Sequence, residues 1–137
     1  MPMTAVCSQI KGSRTEYFLE NPSGRKNHVF LDSSDAITNS YLKLFWESGS
    51  KEGLITIDDS PSIASKTHAA KAIIAFSDGQ QLTFVSILND APIMVTLYPQ
   101  NKVATYSMQS NWGMLASGVK ANLFHAVCEI NTGANQN

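Results

Sequence analysis

Charged residues are scarce in this sequence, and the scarcity narrows the classes of function. Lys and Arg number 10 against 11 Asp and Glu among 137 residues, so the formal net charge is −1 and the charged fraction is 15%. Typical globular domains have about 25% charged residues. The bases are also scattered, and Arg25-Lys26 is their longest run. Such a chain lacks the long-range positive field that attracts nucleic acid, which is therefore not expected as a partner.

Long apolar runs and targeting segments are lacking as well. No stretch approaches the roughly 20 consecutive apolar residues that a membrane-spanning helix needs, so the chain is not expected to span a membrane. Met1-Pro2-Met3 has neither the basic start nor the apolar block of a signal peptide. We therefore expect either a cytoplasmic protein as written or the mature part of an exported protein whose leader is not in this sequence.

Familiar catalytic and metal-binding patterns do not occur either. The three histidines, His28, His68 and His125, are far apart, and none has a second histidine at a metal-ligand spacing. The motifs Gly-x-Ser-x-Gly and Gly-x-Gly-x-x-Gly are missing, so neither a nucleophile elbow nor a nucleotide-binding loop is indicated. We expect no metal and no cofactor, and the sequence favours a non-enzymatic protein over an enzyme.

Cysteine is represented by two residues, Cys7 and Cys128, which lie near opposite ends of the chain in β-like stretches. If the first and last strands are neighbours, as closure of a barrel requires, the two sulfurs can meet, and we predict a disulfide between them. The bond would indicate an oxidising compartment, secreted or periplasmic. The alternative is two buried free thiols in a cytoplasmic protein. Within the first strand, alternation places Val6 and Ile10 on one face and Cys7 on the other.

Strand signals, in contrast, are abundant. Segments rich in β-branched and aromatic residues alternate with gaps that contain Gly, Pro, Asn or Asp. In the middle of the chain these segments recur every ten to twelve residues or so, which is typical of a meander in a barrel or sandwich. The central segments are 72–76, 81–88, 93–98 and 103–108, and further strands are predicted at 4–10, 15–19, 27–31, 53–57 and 122–130.

These signals predict a single all-β domain over residues 1–131, followed by a polar C-terminal tail at 132–137. We expect an antiparallel β-barrel or sandwich of about eight strands with at most one or two short helices. A turn is predicted at residues 11–13 and a long loop at 58–69. Residues 33–47 leave a helix open, because Ile37, Tyr41, Leu44 and Phe45 fall at helical spacing. We favour a short helix or turn through Ser40 followed by a strand. That strand would place Leu42, Leu44 and Trp46 on one face.

One connection between predicted strands is unusually apolar. Residues 110–118 contain Trp112, Met114 and Leu115. Because loops run over the surface, such side chains either close one end of the barrel or contact a partner. We therefore expect a non-enzymatic, secreted or periplasmic binding domain that takes a protein or a small apolar ligand at one end of the barrel. An inhibitor is one form of such a protein.

Two other classes of function remain open. Asp58, Asp59 and His68 lie in or beside the long loop and would serve a small hydrolase or isomerase if the fold brought them together. Alternatively, the chain is a cytoplasmic β-domain that acts as a subunit or scaffold. The nearly uncharged run 80–89 would then form an exposed edge that pairs with another copy. The oligomeric state is not predicted.

Overall fold

The chain folds into strands throughout the part that the structure describes. The computed structural model describes residues 2–19, 27–37, 39–60, 69–88, 91–111 and 118–132, with side chains undescribed at 15–19, 27–37, 88, 110–111 and 118–120. These residues form nine β-strands and no helix: β1 (Pro2–Leu19), β2 (Asn27–Ile37), β3 (Tyr41–Glu47), β4 (Glu52–Asp58), β5 (Ala70–Ser77), β6 (Leu82–Leu88), β7 (Ala91–Tyr98), β8 (Val103–Asn111) and β9 (Gly118–Thr132). Nothing in the described part is a helix with the length and apolar character needed to cross a membrane.

The strands close into an eight-stranded antiparallel barrel, which confirms the predicted fold class. From β3 to β9 each strand pairs with the next, and β9 returns to pair with β1, which also pairs with β3. β2 and β3 both pair with β1 on the side away from β9, but with different parts of its length, so together they occupy the place of one strand in the barrel. β3 pairs with residues 2–7, and β2 pairs with residues 10–19. The architecture is therefore an up-and-down meander in which the first and last strands meet.

The N-terminal region contains fewer breaks than the sequence predicts. β1 is continuous through residues 11–13, where a turn was predicted, because that segment pairs with β2 on one side and β9 on the other. β2 extends to Ile37, so the short helix or turn predicted through Ser40 is wrong for residues 33–37. Antiparallel pairing with β1 provides hydrogen-bond partners for the backbone N–H and C=O groups there. The segment is therefore a strand although its apolar residues have helical spacing. Asn39, with φ 61°, lies between β2 and β3.

The core lies inside the barrel and follows the alternation of each strand. On β7, Ile93, Val95 and Leu97 are buried, whereas Pro92 and Met94 face solvent. The predicted inner face of β3 is confirmed, since Leu42 and Leu44 are buried and Trp46 packs against the core. The largest buried apolar side chains are those of Tyr106, Phe84, Phe124, Ile10, Leu42, Leu44, Ile55, Ile93 and Leu97. The barrel interior is thus filled by side chains, as in other barrels of this size.

Two β-bulges change which side chains face inward. In β1 the register with β9 shifts between Ser8 and Lys11, and Gln9 has φ 54°. The extra residue lets both Cys7 and Ile10 point into the core, so the prediction that Ile10 shares a face with Val6 is wrong. β5 contains a similar shift between Ile74 and Phe76.

The disulfide lies at the seam where the barrel closes. Cys7 of β1 is directly opposite Cys128 of β9, and the sulfurs are bonded at 2.01 Å with the Cα atoms 3.9 Å apart. Both residues are buried in the core. The predicted pairing is confirmed in the structure. A bond of this kind is typical of oxidising compartments.

Candidate functional site

Four of the predicted site residues lie outside the described part of the chain. Trp112, Met114 and Leu115 belong to the connection between β8 and β9. His68 lies in the connection between β4 and β5. Their assigned roles therefore stay predictions.

The two predicted acidic residues have different surroundings. Asp58 ends β4, and its carboxylate accepts hydrogen bonds from the Lys43 amine, with Nζ–Oδ1 and Nζ–Oδ2 distances of 2.8 and 3.0 Å. The backbone N–H of Ser60 donates to the same carboxylate at 3.0 Å. Asp59, the next residue, is exposed. The adjacent pair thus does not converge on one site, because Asp58 is already engaged by Lys43.

The surroundings of Asp58 favour a structural role. The hydrogen bond from Lys43 holds the pKa of the Asp58 carboxyl below its ordinary value of 3.8, although burial acts in the opposite direction. The group is therefore ionised at neutral pH and balances the positive charge of a lysine that has 0% exposed surface. A carboxylate with a lowered pKa is poorly suited to act as a general acid.

Metal binding finds no support in the described residues. Within these ranges no three His, Cys, Asp or Glu side chains come close enough to hold a metal ion.

A concave surface lies at the opposite end of the barrel from the paired residues Phe18 and Gly118. We call it the rim cleft; it is open, measures about 400 Å³, and lies where β1 begins and the β3–β4 hairpin turns. Its apolar walls come from three strands, β1, β3 and β4, and consist of Pro2, Met3, Phe45, Trp46 and Leu54. Because β1 pairs with β3 and β3 with β4, residues from distant parts of the sequence meet here.

Trp46 is held in place within the rim cleft. Its indole Nε1 donates a hydrogen bond to the carbonyl oxygen of Ser50 at 2.9 Å, across the turn that joins β3 and β4. Trp46 is directly opposite Gly53, where a Cβ would lie 2.6 Å from the Phe84 ring. Because Gly53 has no side chain, the Phe84 ring can pack against its backbone at this point. Trp46 combines a fixed polar end with an apolar ring, a combination that suits an anchoring contact.

Charged groups lie at the edge of the rim cleft. Glu47, Glu52 and Lys71 contribute to its lining, and Glu52 and Lys71 are exposed. Leu54 is opposite Lys71 in the β4–β5 pairing. The cleft therefore combines apolar walls with charged groups in its lining, and together these would accept an apolar group that carries a polar end.

A second unusual surface lies on the outside of β5, β6 and β7. Five large apolar side chains point outward there and are substantially exposed: Ile73, Phe76, Val85, Ile87 and Met94. We call this set the outer wall. Ile73, Val85 and Met94 are directly opposite one another across the three strands. Lys71 is the sole charged residue within the three strands.

Comparisons with known proteins give no family or relative. No family model matches the chain, and no curated protein or solved structure matches it.

The sequence contained part of the signal for the rim cleft. Alternation correctly placed Trp46 on the inner face of its strand, but the sequence did not single it out as a binding residue. Phe45, Leu54 and Pro2 had no signal of their own, because only the strand order brings them next to Trp46.

Proposed function

We propose that this chain is a non-enzymatic binding domain, secreted or periplasmic, that holds an apolar group of its partner in the rim cleft. The observation that supports this most directly is the cleft itself, with about 400 Å³ of space beside Trp46, Phe45 and Leu54. Binding sites for small molecules are usually concave, measure about 300–1,000 Å³, and are lined mainly by apolar and aromatic side chains. The rim cleft has these properties.

The lining defines the class of group that the cleft would take. An aromatic or branched aliphatic group would contact the Trp46 ring and Leu54, while a polar end would remain near the exposed Glu52 and Lys71. A small amphipathic ligand has this chemistry, and so does an apolar side chain presented by a protein. Inhibition of another protein is one form that the second case takes.

The disulfide supports the proposed compartment. Bonds of this type persist in secreted and periplasmic proteins and are rare in the cytoplasm, where thiols are kept reduced. The enzymatic alternative has less support, because Asp58 is engaged by Lys43 and the nearby Asp59 is exposed.

Binding at the rim cleft can be tested with the fluorescence of Trp46. The sequence has two tryptophans, so a Trp112→Phe background leaves Trp46 as the only one. Titration with the amphipathic dye anilinonaphthalene sulfonate, an apolar ring system with an anionic sulfonate, should give saturable energy transfer from Trp46. In the same background Leu54→Gln should weaken binding about tenfold, since it removes roughly 1.4 kcal/mol of apolar contact.

A matched control is available on β9, far from the cleft. Leu123 is an exposed leucine of the barrel exterior, and Leu123→Gln should leave dye binding unchanged. Equal loss of affinity in the two variants, or no saturable binding at all, would contradict the assignment of the rim cleft.

A further inference from the structure

The outer wall is an apolar surface with almost no charge. Its five side chains form a compact group, since Ile73, Val85 and Met94 are in one row and Ile87 is opposite the exposed Pro92. Phe76 extends the group along β5. Lys71 lies at one corner, beside the rim cleft. β5, β6 and β7 therefore contain one charged residue between them, and the exposed Glu52 of β4, directly opposite Ile73, adds a charge at the edge of the group.

Two threonines beside the outer wall hydrogen-bond to each other. Thr83 and Thr96 are opposite one another in the β6–β7 pairing, and their hydroxyl oxygens are 2.9 Å apart. This bond survives removal of water, so covering the wall does not leave these hydroxyls unpaired. A surface whose polar groups are already paired can be buried at little cost.

The outer wall supplies more than half of the area that each partner buries in a stable interface. Given the exposed fractions of the five side chains, their accessible surface is on the order of 500 Å², near the upper limit for the largest apolar patch on a monomer. A stable interface buries about 800 Å² on each partner. The five side chains would supply more than half of that area, and the surrounding Pro92, Thr96 and Ala75 would supply much of the remainder.

We propose that two copies of this chain associate face to face through the outer wall. A two-fold axis along β6 would place Val85 against Val85 of the second copy and Ile73 against Met94 of the second copy. Such an interface is self-complementary because an apolar row meets an apolar row, and it brings no like charges together near its centre. The outer wall offers a different protein no charge with which to form ion pairs. A second copy presents the same apolar, uncharged side chains, so the two surfaces match in composition.

This mode of association differs from the edge pairing expected from the sequence. Within the run 80–89, β6 is hydrogen-bonded to β5 on one side and to β7 on the other. It therefore has no open edge, and the expectation of a sticky edge there is wrong. The uncharged run instead contributes Val85 and Ile87 to a face.

Sedimentation velocity of the disulfide-bonded protein over a range of concentrations tests the proposal. The native sequence should be a dimer, and Ile87→Lys should raise the dissociation constant roughly 100-fold, since each substitution enters a two-fold interface twice. Leu123→Lys is the matched control. Ile87 is 61% exposed and Leu123 is 60% exposed, but Leu123 lies on β9 outside the outer wall. The control should remain dimeric.

A second matched pair makes the result independent of one site. Met94→Lys should also dissociate the dimer, whereas Val127→Lys should not, and these two residues are 49% and 50% exposed. Circular dichroism should show the same β-sheet spectrum for all four variants. A monomeric native protein up to its solubility limit would overturn the proposal. A dimer that Leu123→Lys or Val127→Lys dissociates as strongly would also overturn it. Neither result would affect dye binding at the rim cleft.

Discussion

At the scale of single residues, Lys43 has the most unusual position. Alternation with the inward-facing Leu42 and Leu44 places it on the outer side of β3, yet its side chain has 0% exposed surface. It lies between Val6 and Thr56 in the strand pairing. A buried ammonium group has lost its hydration and needs a close negative charge, which Asp58 supplies from the end of β4.

The first residue-scale prediction is that Asp58→Asn destabilises the fold. Asparagine keeps the shape and an acceptor oxygen but removes the charge opposite Lys43, so the free energy of unfolding should fall by roughly 2 kcal/mol. The value is moderate because Asp58 is itself 26% exposed. Chemical denaturation at neutral pH measures the change. Asp59→Asn is the control, since exposed substitutions usually change stability by less than about 0.5 kcal/mol.

The effect of Asp58 should also depend on pH in a defined direction. Its folded-state pKa is lower than the ordinary value of 3.8, so the folded state favours the ionised form. The stabilisation is present above pH 3.8 and is lost as the pH falls through the lower folded-state pKa. The stability difference between the native protein and Asp58→Asn should therefore shrink in acid. A difference that stays constant down to strongly acidic pH would contradict this account of the ion pair.

At the scale of secondary-structure elements, Gly12 shows how closely β1 and β9 approach. A Cβ on Gly12 would overlap the carbonyl oxygen of Leu123 and lie 2.7 Å from the Cα of Phe124. These are backbone atoms of β9, which cannot move without disturbing the pairing of the two strands. Gly12 therefore serves the close approach of two backbones within a sheet.

Gly12→Ala should destabilise the protein by roughly 2 kcal/mol or more, because overpacking against backbone has no inexpensive relaxation. Gly79→Ala is the matched control. Nothing lies within 4 Å of a Cβ at Gly79, and its φ is not among the positive values. That variant should be neutral or slightly more stable, since alanine restricts the unfolded chain. Similar thermal unfolding of both variants would show that β1 and β9 are not packed this closely.

The elements also show why part of the fold was predictable. β7 alternates strictly between inward and outward residues, so its position could be read from apolar spacing. Gly12 was misread as a turn because glycine marks both turns and close approaches. Phe76 could not be assigned to the outer wall, because strict alternation with Ala72 and Ile74 places it inside. The bulge between Ile74 and Phe76 pairs it with the outward-facing Thr83.

The candidate site was less predictable than the fold for a related reason. The rim cleft depends on which strands are neighbours, and β1 pairs with β3 at its beginning and with β2 further along. Apolar spacing gives the inner face of a strand but not its neighbours. Pro2 and Leu54 therefore could not be placed beside Trp46 before the pairing was known.

At the scale of the whole molecule, the barrel depends on the contact between its first and last strands. β1 and β9 pair from Met3–Thr132 at one end to Phe18–Gly118 at the other. This contact joins the most distant parts of the sequence, and forming it costs more chain entropy than any hairpin in the meander. The disulfide lies within this seam and connects residues separated by 121 positions. It therefore lowers the entropy of the unfolded chain by joining the two segments whose pairing costs the most chain entropy.

The double substitution Cys7→Ala with Cys128→Ala should lower the free energy of unfolding substantially. In the chain-entropy model a loop of this length is worth about 5 kcal/mol, and measured values often fall below that figure. Domains are typically stable by about 5–15 kcal/mol, so the variant should be marginally folded or unfolded at room temperature. Denaturation of the native protein with and without reductant should show the same loss. Reductant should have no effect on the double variant, which serves as the control.

The state of the sulfurs can be measured independently by mass. The native protein, denatured without reductant and treated with an alkylating reagent, should gain no alkyl group, and after reduction it should gain two. Two groups gained without reduction would mean that Cys7 and Cys128 are free thiols. Strand pairing alone would then close the barrel, and the cytoplasmic alternative would replace the exported one. No gain, combined with a large loss of stability on reduction, would show that the covalent seam supports the barrel and would favour an oxidising compartment.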